Sequence, residues 1–157
     1  GPGTSFQRFT PEPHHTEGKD ELVPPEQIKR HIFCVGQAYF ALLNHRRENN
    51  IKDVAISRIE QISPLDYEAI AQALDKYPNS DLMYAQEEPL NNGAWLYLEP
   101  RLRMTCNQTE HHKHEVFMVS SRPPSSSVAT GYKLTHLQEL KAYVEGAFDP
   151  NRVPYDG

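Results

Sequence analysis

Four short, mostly apolar runs separated by segments with helical spacing limit what this chain can fold into. They are HIFCV (31–35), DVAISRI (53–59), DLMYA (81–85) and VFMVS (116–120). Strands exposed on one face alternate apolar and polar residues, whereas strands covered on both faces stay apolar throughout. The runs here are of the second kind. Between them lie helical patterns. In QAYFALLNHRREN (37–49), Tyr39, Leu42, Leu43 and Arg46 recur on one side. Ser63-Pro64 offers a serine N-cap with proline at the first helical position. Leu65, Ala69, Ile70, Ala73, Leu74 and Tyr77 follow on one face until Pro78. The last pattern, 133–148, carries a stripe of Leu134, Leu137, Leu140, Val144, Ala147 and Phe148. This alternation predicts an α/β fold: a mostly parallel sheet of four to five strands, with helices on both faces and right-handed crossovers.

We divide the chain into an extended strap (1–27), an α/β domain (28–149) and a short tail (150–157). The strap is rich in Pro, His, Glu and Thr, and only Phe6 and Phe9 offer anchors. It should gain order by lying on something larger. The opening GPGTSF has no methionine and reads as a cut piece of a longer chain. Pro100 falls inside the helix that Gly93 would open, and we expect a second helix to start there with Glu99 as N-cap.

The 157 residues suit one domain with its own core. A net charge of −5 with no basic half argues against nucleic acid as partner. No apolar run approaches the ~18 residues needed to cross a bilayer. Cys34 and Cys106 make no disulfide framework, and Cys34 reads as a buried reduced thiol.

The chemistry-bearing motifs are few. There is no G-x-G-x-x-G, no G-x-x-x-x-G-K-[ST] and no G-x-S-x-G. EHHKHE (110–115) is the most metal-like string. His112 and His114, with Glu110, Glu115 and distant His136, fall short of a fixed set of about four ligands with supporting contacts, so a solvated histidine-rich loop is expected and no metal site. NQT (107–109) matches a glycosylation acceptor by chance. Glu87 and Glu88 are adjacent at a strand end and should point to opposite faces, which disfavours joint acid/base work on one atom. The loop SSRPPSSSVATGYK (120–133) brings Arg122 and Lys133 near a helix start, where an anion could bind. Its alternative reading is a wrapping loop whose serines satisfy the backbone.

Taken in order, FCVGQAYFAL, VAISRIEQISP, LDKYPNSDLMYAQEEPLNNGAW, PRLR and RPPSSSVATGYKLTHLQEL resemble the C-terminal domain of the first component of the 2-oxoglutarate dehydrogenase complex. GTSFQRFTPEP is similar to the segment leading into that domain, and the resemblance runs over about 3–148. It departs at SPLD (63–66), where the family usually reads SPFP, and at SSR (120–122), where it often reads AGR. The resemblance implies a transketolase-like homodimer using thiamine diphosphate and magnesium. That enzyme decarboxylates 2-oxoglutarate and passes succinyl to lipoamide. Its cofactor and catalytic histidines lie in other domains, so no catalytic or cofactor-binding residue carries over to this chain.

The implied partners are the remaining domains of the same enzyme, its dimer mate and the other components of the complex. The implied location is the mitochondrial matrix if the source is a eukaryote. Glu87, Glu88, Asn91, Asn92 and Trp95 become interface candidates. Arg122 and Lys133 become candidates for an acyl-CoA-type effector or another anion. A stand-alone binding or regulatory protein descended from that domain is the alternative.

Overall fold

The computed structural model describes residues 7–124 and 132–156, without the side chains of 132–134. Its elements are β1 (Phe9–Thr10), β2 (Arg30–Val35), α1 (Ala38–Glu48), β3 (Val54–Ile59), α2 (Tyr67–Lys76), β4 (Asp81–Pro89), α3 (Trp95–Cys106), β5 (Met118–Arg122) and α4 (Tyr132–Ala147). The five strands form one sheet in the order β1-β3-β2-β4-β5. All pairs are parallel except β1 with β3. The expected α/β architecture is therefore present, with an antiparallel edge strand added from the strap.

Alternation along the strands divides the core in two. Phe33, Leu82 and Tyr84 face one side, where Ile70, Leu74, Trp95, Leu98 and Leu102 of α2 and α3 cover them. Ile32, Cys34, Met83 and Ala85 face the other, under Leu42, Tyr143, Val144 and Ala147 of α1 and α4. Burying side chains of this size stabilises by about 1.5–3 kcal/mol each. Both faces of the central strands are thus apolar, and this is why their sequences do not alternate.

The strap lies on this domain's own sheet. Phe9 is buried in the core and pairs with Ile59. Glu12 is buried as well: Arg46 donates to its Oε2 at 2.6 Å, and so does the Ile56 amide at 2.9 Å. Removing either member of such a pair would leave an uncompensated buried charge. The chain end is also fastened. Arg30 grips Asp81 at 2.8 and 3.1 Å and donates to the carbonyls of Ala147 and Asp149. The Tyr155 amide donates to the Phe117 carbonyl.

Three local expectations need correction. Helix α2 starts later than Ser63-Pro64, whose peptide bond is cis. Its N-cap is Asp66, which accepts from the Ala69 amide at 3.1 Å. Pro100 neither breaks nor restarts α3 but sits inside it. The carbonyl that Pro100 leaves unbonded belongs to Leu96, and both residues are on the solvent side, where water can satisfy it. On α4, Leu137 is 61 % exposed while Tyr143, outside the expected stripe, is buried.

Candidate functional site

Strand order reverses between β2 and β4, so the C-terminal ends of these strands form the crevice where open α/β sheets hold ligands. The loop leaving β4 occupies this edge, and a single side chain organises it. Gln86 is buried, and its Nε2 donates toward the carbonyls of Glu88 (3.0 Å), Pro89 (2.8 Å) and Asn92 (2.9 Å). Tyr84 donates its hydroxyl to Gln86 Oε1 at 3.0 Å. Gly93 has φ +75°, and a Cβ there would come within 3.2 Å of Gln86 Oε1. Glycine is thus required both by the backbone conformation and by the close approach.

The candidate residues separate on this frame. Asn91 and Asn92 are exposed, and Glu87 and Glu88 are half-buried. Burial, with the Glu87 and Glu88 charges among the further causes, pushes the Tyr143 phenol of α4 up to about 12. Trp95 does not belong with these surface residues: it is fully buried, stacked on Tyr84 at 4.9 Å and edge-on to Tyr155 at 5.2 Å. As the first residue of α3 it faces inward and anchors the loop from below. Arg122 donates to Glu139 Oε2 of α4 at 3.1 Å, so an anion would have to compete with that carboxylate. The Lys133 side chain and residues 125–131 lie outside the described residues.

The sequence reading missed several buried polar groups. His112 is fully buried, not solvated, whereas His111 and His114 are exposed. Its Nδ1 lies 2.9 Å from Glu115 Oε1 and its Nε2 3.0 Å from the Tyr77 carbonyl. Burial works against its charged form. The Glu115 hydrogen bond and charge, with the Tyr77 and Leu74 carbonyls, work the other way and leave its pKa above the ordinary histidine value. His31 behaves oppositely: burial, then the His112 and Lys76 charges, push it down to about 3. No spacing signal marked either histidine. Burial also holds the Cys34 thiol above its ordinary range.

Thiamine diphosphate and magnesium, which the resemblance implies for the complete enzyme, require carboxylate or amide oxygens gathered around a metal and a cradle for the diphosphate. Among the described residues no group of three or more His, Cys, Asp or Glu side chains comes together as a metal site. The turn after β2 carries a single glycine, Gly36. The described residues offer neither such a metal cluster nor a glycine-rich cradle.

A profile described as 2-oxoglutarate dehydrogenase C-terminal matches residues 1–148. The chain belongs to this family. It is 40 % identical over 128 residues to the mitochondrial 2-oxoglutarate dehydrogenase of Schizosaccharomyces pombe, covering 80 % of this chain and 12 % of that protein. The Caenorhabditis elegans enzyme is 35 % identical over 99 % of this chain and 14 % of its own length. A 2-oxoglutarate dehydrogenase-like protein of Pongo abelii is 38 % identical over 94 % of this chain and 14 % of its own. The chain thus spans about an eighth of these relatives and corresponds to a C-terminal domain of 2-oxoglutarate dehydrogenase. All three are named as mitochondrial, which supports a mitochondrial location for this chain. A solved structure titled "Split gene transketolase, inactive beta4 tetramer" has a TM-score of 0.51 at 13 % identity, covering 81 % of this chain and 43 % of that one. That likeness concerns the fold alone, which is transketolase-like.

Proposed function

We propose that this chain is a domain-packing and dimer-assembly element of 2-oxoglutarate dehydrogenase. The complete enzyme would decarboxylate 2-oxoglutarate with thiamine diphosphate and magnesium in the mitochondrial matrix, and pass succinyl to lipoamide. The observation that carries this reading is the β4 exit loop. Gln86 fixes its backbone from within the core while Glu87, Glu88, Asn91 and Asn92 stay at least partly accessible. A fixed, polar and accessible surface suits contact with the enzyme's other domains and dimer mate. A groove of about 280 Å³ between α2 and α3 adds apolar surface, including Met104 at 51 % exposure. The same loop in a stand-alone protein would serve a separate partner, and the size of the native protein in a source extract separates the two readings.

The test is a charge reversal, Glu87→Lys with Glu88→Lys, in the complete enzyme. Sedimentation should show a weakened dimer and decarboxylation should fall with it, while the isolated domain keeps its circular dichroism. An unchanged dimer with unchanged turnover would overturn the reading.

A further inference from the structure

A buried ring sits at the centre of the loop 107–117 that joins α3 to β5. His112 Nδ1 faces a carboxylate oxygen at 2.9 Å and Nε2 a backbone carbonyl at 3.0 Å. Both groups only accept. A neutral imidazole carries one N–H, and only the imidazolium carries two. The carbonyl belongs to Tyr77, which caps the C-terminus of α2, and that end of a helix favours positive charge. We propose that His112 stands as an imidazolium that latches the 107–117 loop to the end of α2, and that its deprotonation loosens that tie to α2.

The surroundings support this assignment. The loop supplies Glu115, with Glu110 and His111 outside. From α2 come Asp75, which accepts from the Glu110 and His111 amides at 3.0 Å, and Lys76, which lies over the Tyr77 ring at 5.7 Å. From β2 comes His31, whose Nε2 pairs with Ser57 Oγ at 2.6 Å. From α3 comes the Cys106 thiol, pushed up to about 12 by burial and then by the Glu115 and Asp75 charges. Ser80 also donates to the Tyr77 carbonyl, from its hydroxyl at 3.0 Å and its amide at 3.3 Å, whereas none of these bonds takes over the donation that Glu115 Oε1 receives from His112.

The other donors decide which bond breaks first. The Tyr77 carbonyl keeps the Ser80 hydroxyl at 3.0 Å and amide at 3.3 Å without the ring, whereas the bond to the Glu115 carboxylate is charge-assisted and the stronger of the two. The neutral ring therefore keeps Nδ1–H on Glu115 and loses Tyr77. A raised folded pKa makes the latch complete below the ordinary value of about 6.5 and weakens it as pH rises through the folded pKa.

The test is nitrogen-15 NMR of the histidine rings in this chain across neutral to alkaline pH, with amide hydrogen exchange at Glu115 and Val116. Both His112 nitrogens should carry protons at neutral pH, and their midpoint should lie above the ordinary histidine value of about 6.5. Exchange at the two amides should rise above the trend of the α2 amides as that midpoint is passed. Glu115→Gln should lower the proton affinity of His112 at least about tenfold. A single protonated nitrogen at neutral pH, or a midpoint at or below the ordinary histidine value, would overturn the latch. So would a Glu115→Gln titration identical to the wild type.

Discussion

A buried polar side chain fastens each of the loops that leave β4 and α3, yet the two fasteners differ in chemistry. Gln86 holds its loop with a neutral amide that donates toward three carbonyls. His112 holds its loop with a ring whose donor count depends on pH. The comparison teaches that burial alone does not set how permanent a fastening is. An amide keeps its donors at every pH, while an imidazole keeps both only when charged. The permanent fastener lies at the C-terminal edge of the sheet and the conditional one in the histidine-rich segment.

The largest effect should come from making the first loop titratable. Gln86→Glu places a carboxylate against three carbonyls and should cost about 3–5 kcal/mol at neutral pH, as uncompensated buried charges do. The deficit should shrink on acidification, because a protonated carboxyl regains a donor and its folded pKa would be raised. Urea unfolding at two pH values measures this. A loss of stability that is the same at both would mean the amide donors are not what holds the loop.

Paired deletions sharpen the contrast. Gln86→Ala takes a donor from the partly buried carbonyls of Glu88, Pro89 and Asn92, of which Pro89 keeps the Asn92 amide, and should cost about 1–3 kcal/mol, independent of pH through the histidine range. His112→Ala should cost a similar amount at mildly acid pH and less at alkaline pH, because the native contribution itself fades as the folded pKa is passed. Parallel urea curves with equal pH slopes for both variants would erase the distinction drawn here. Gly93→Ala comes next. Its positive φ makes a side chain unfavourable by about 1–2 kcal/mol, and the added Cβ would press on Gln86. The Gln86→Ala background should relieve the second part of that cost and leave the first, so a double-mutant cycle reads the contact directly.

Much of the fold was legible because buried parallel strands must be apolar throughout, and each of the four runs became a strand. The core face of α2 was legible for the same reason, since Leu65, Ile70, Ala73, Leu74 and Tyr77 are all buried. What escaped was polar and distant in sequence. Glu12 and Arg46 are 34 residues apart, and nothing in a histidine- and proline-rich strap singles out one buried glutamate. Arg46 did recur with Leu42 on one side of α1, and that position was the available hint. Gln86 precedes two acids and reads as part of a polar strand end, although its burial is what shapes the loop. Trp95 stood beside exposed residues in sequence but turned inward once α3 began. His112 shared a string with two exposed histidines, and only the return of the loop to Tyr77 separates them.

The smallest expected effect tests whether the second loop depends on its titratable group or on its other tie. Asp75 of α2 accepts from the amides of Glu110 and His111, each at 3.0 Å, near the latch but without touching the His112 ring. Asp75→Asn keeps one acceptor oxygen and loses the other, so it should cost about 0.5–1 kcal/mol in urea unfolding. It should leave the His112 titration midpoint near that of the wild type, because Glu115 remains in place against Nδ1. A midpoint that falls as far as in Glu115→Gln would mean that the negative end of α2 as a whole, and not the single carboxylate at 2.9 Å, keeps the ring charged. The second loop would then be fastened by the field of a helix end, and the contrast with the local, neutral grip of Gln86 would widen.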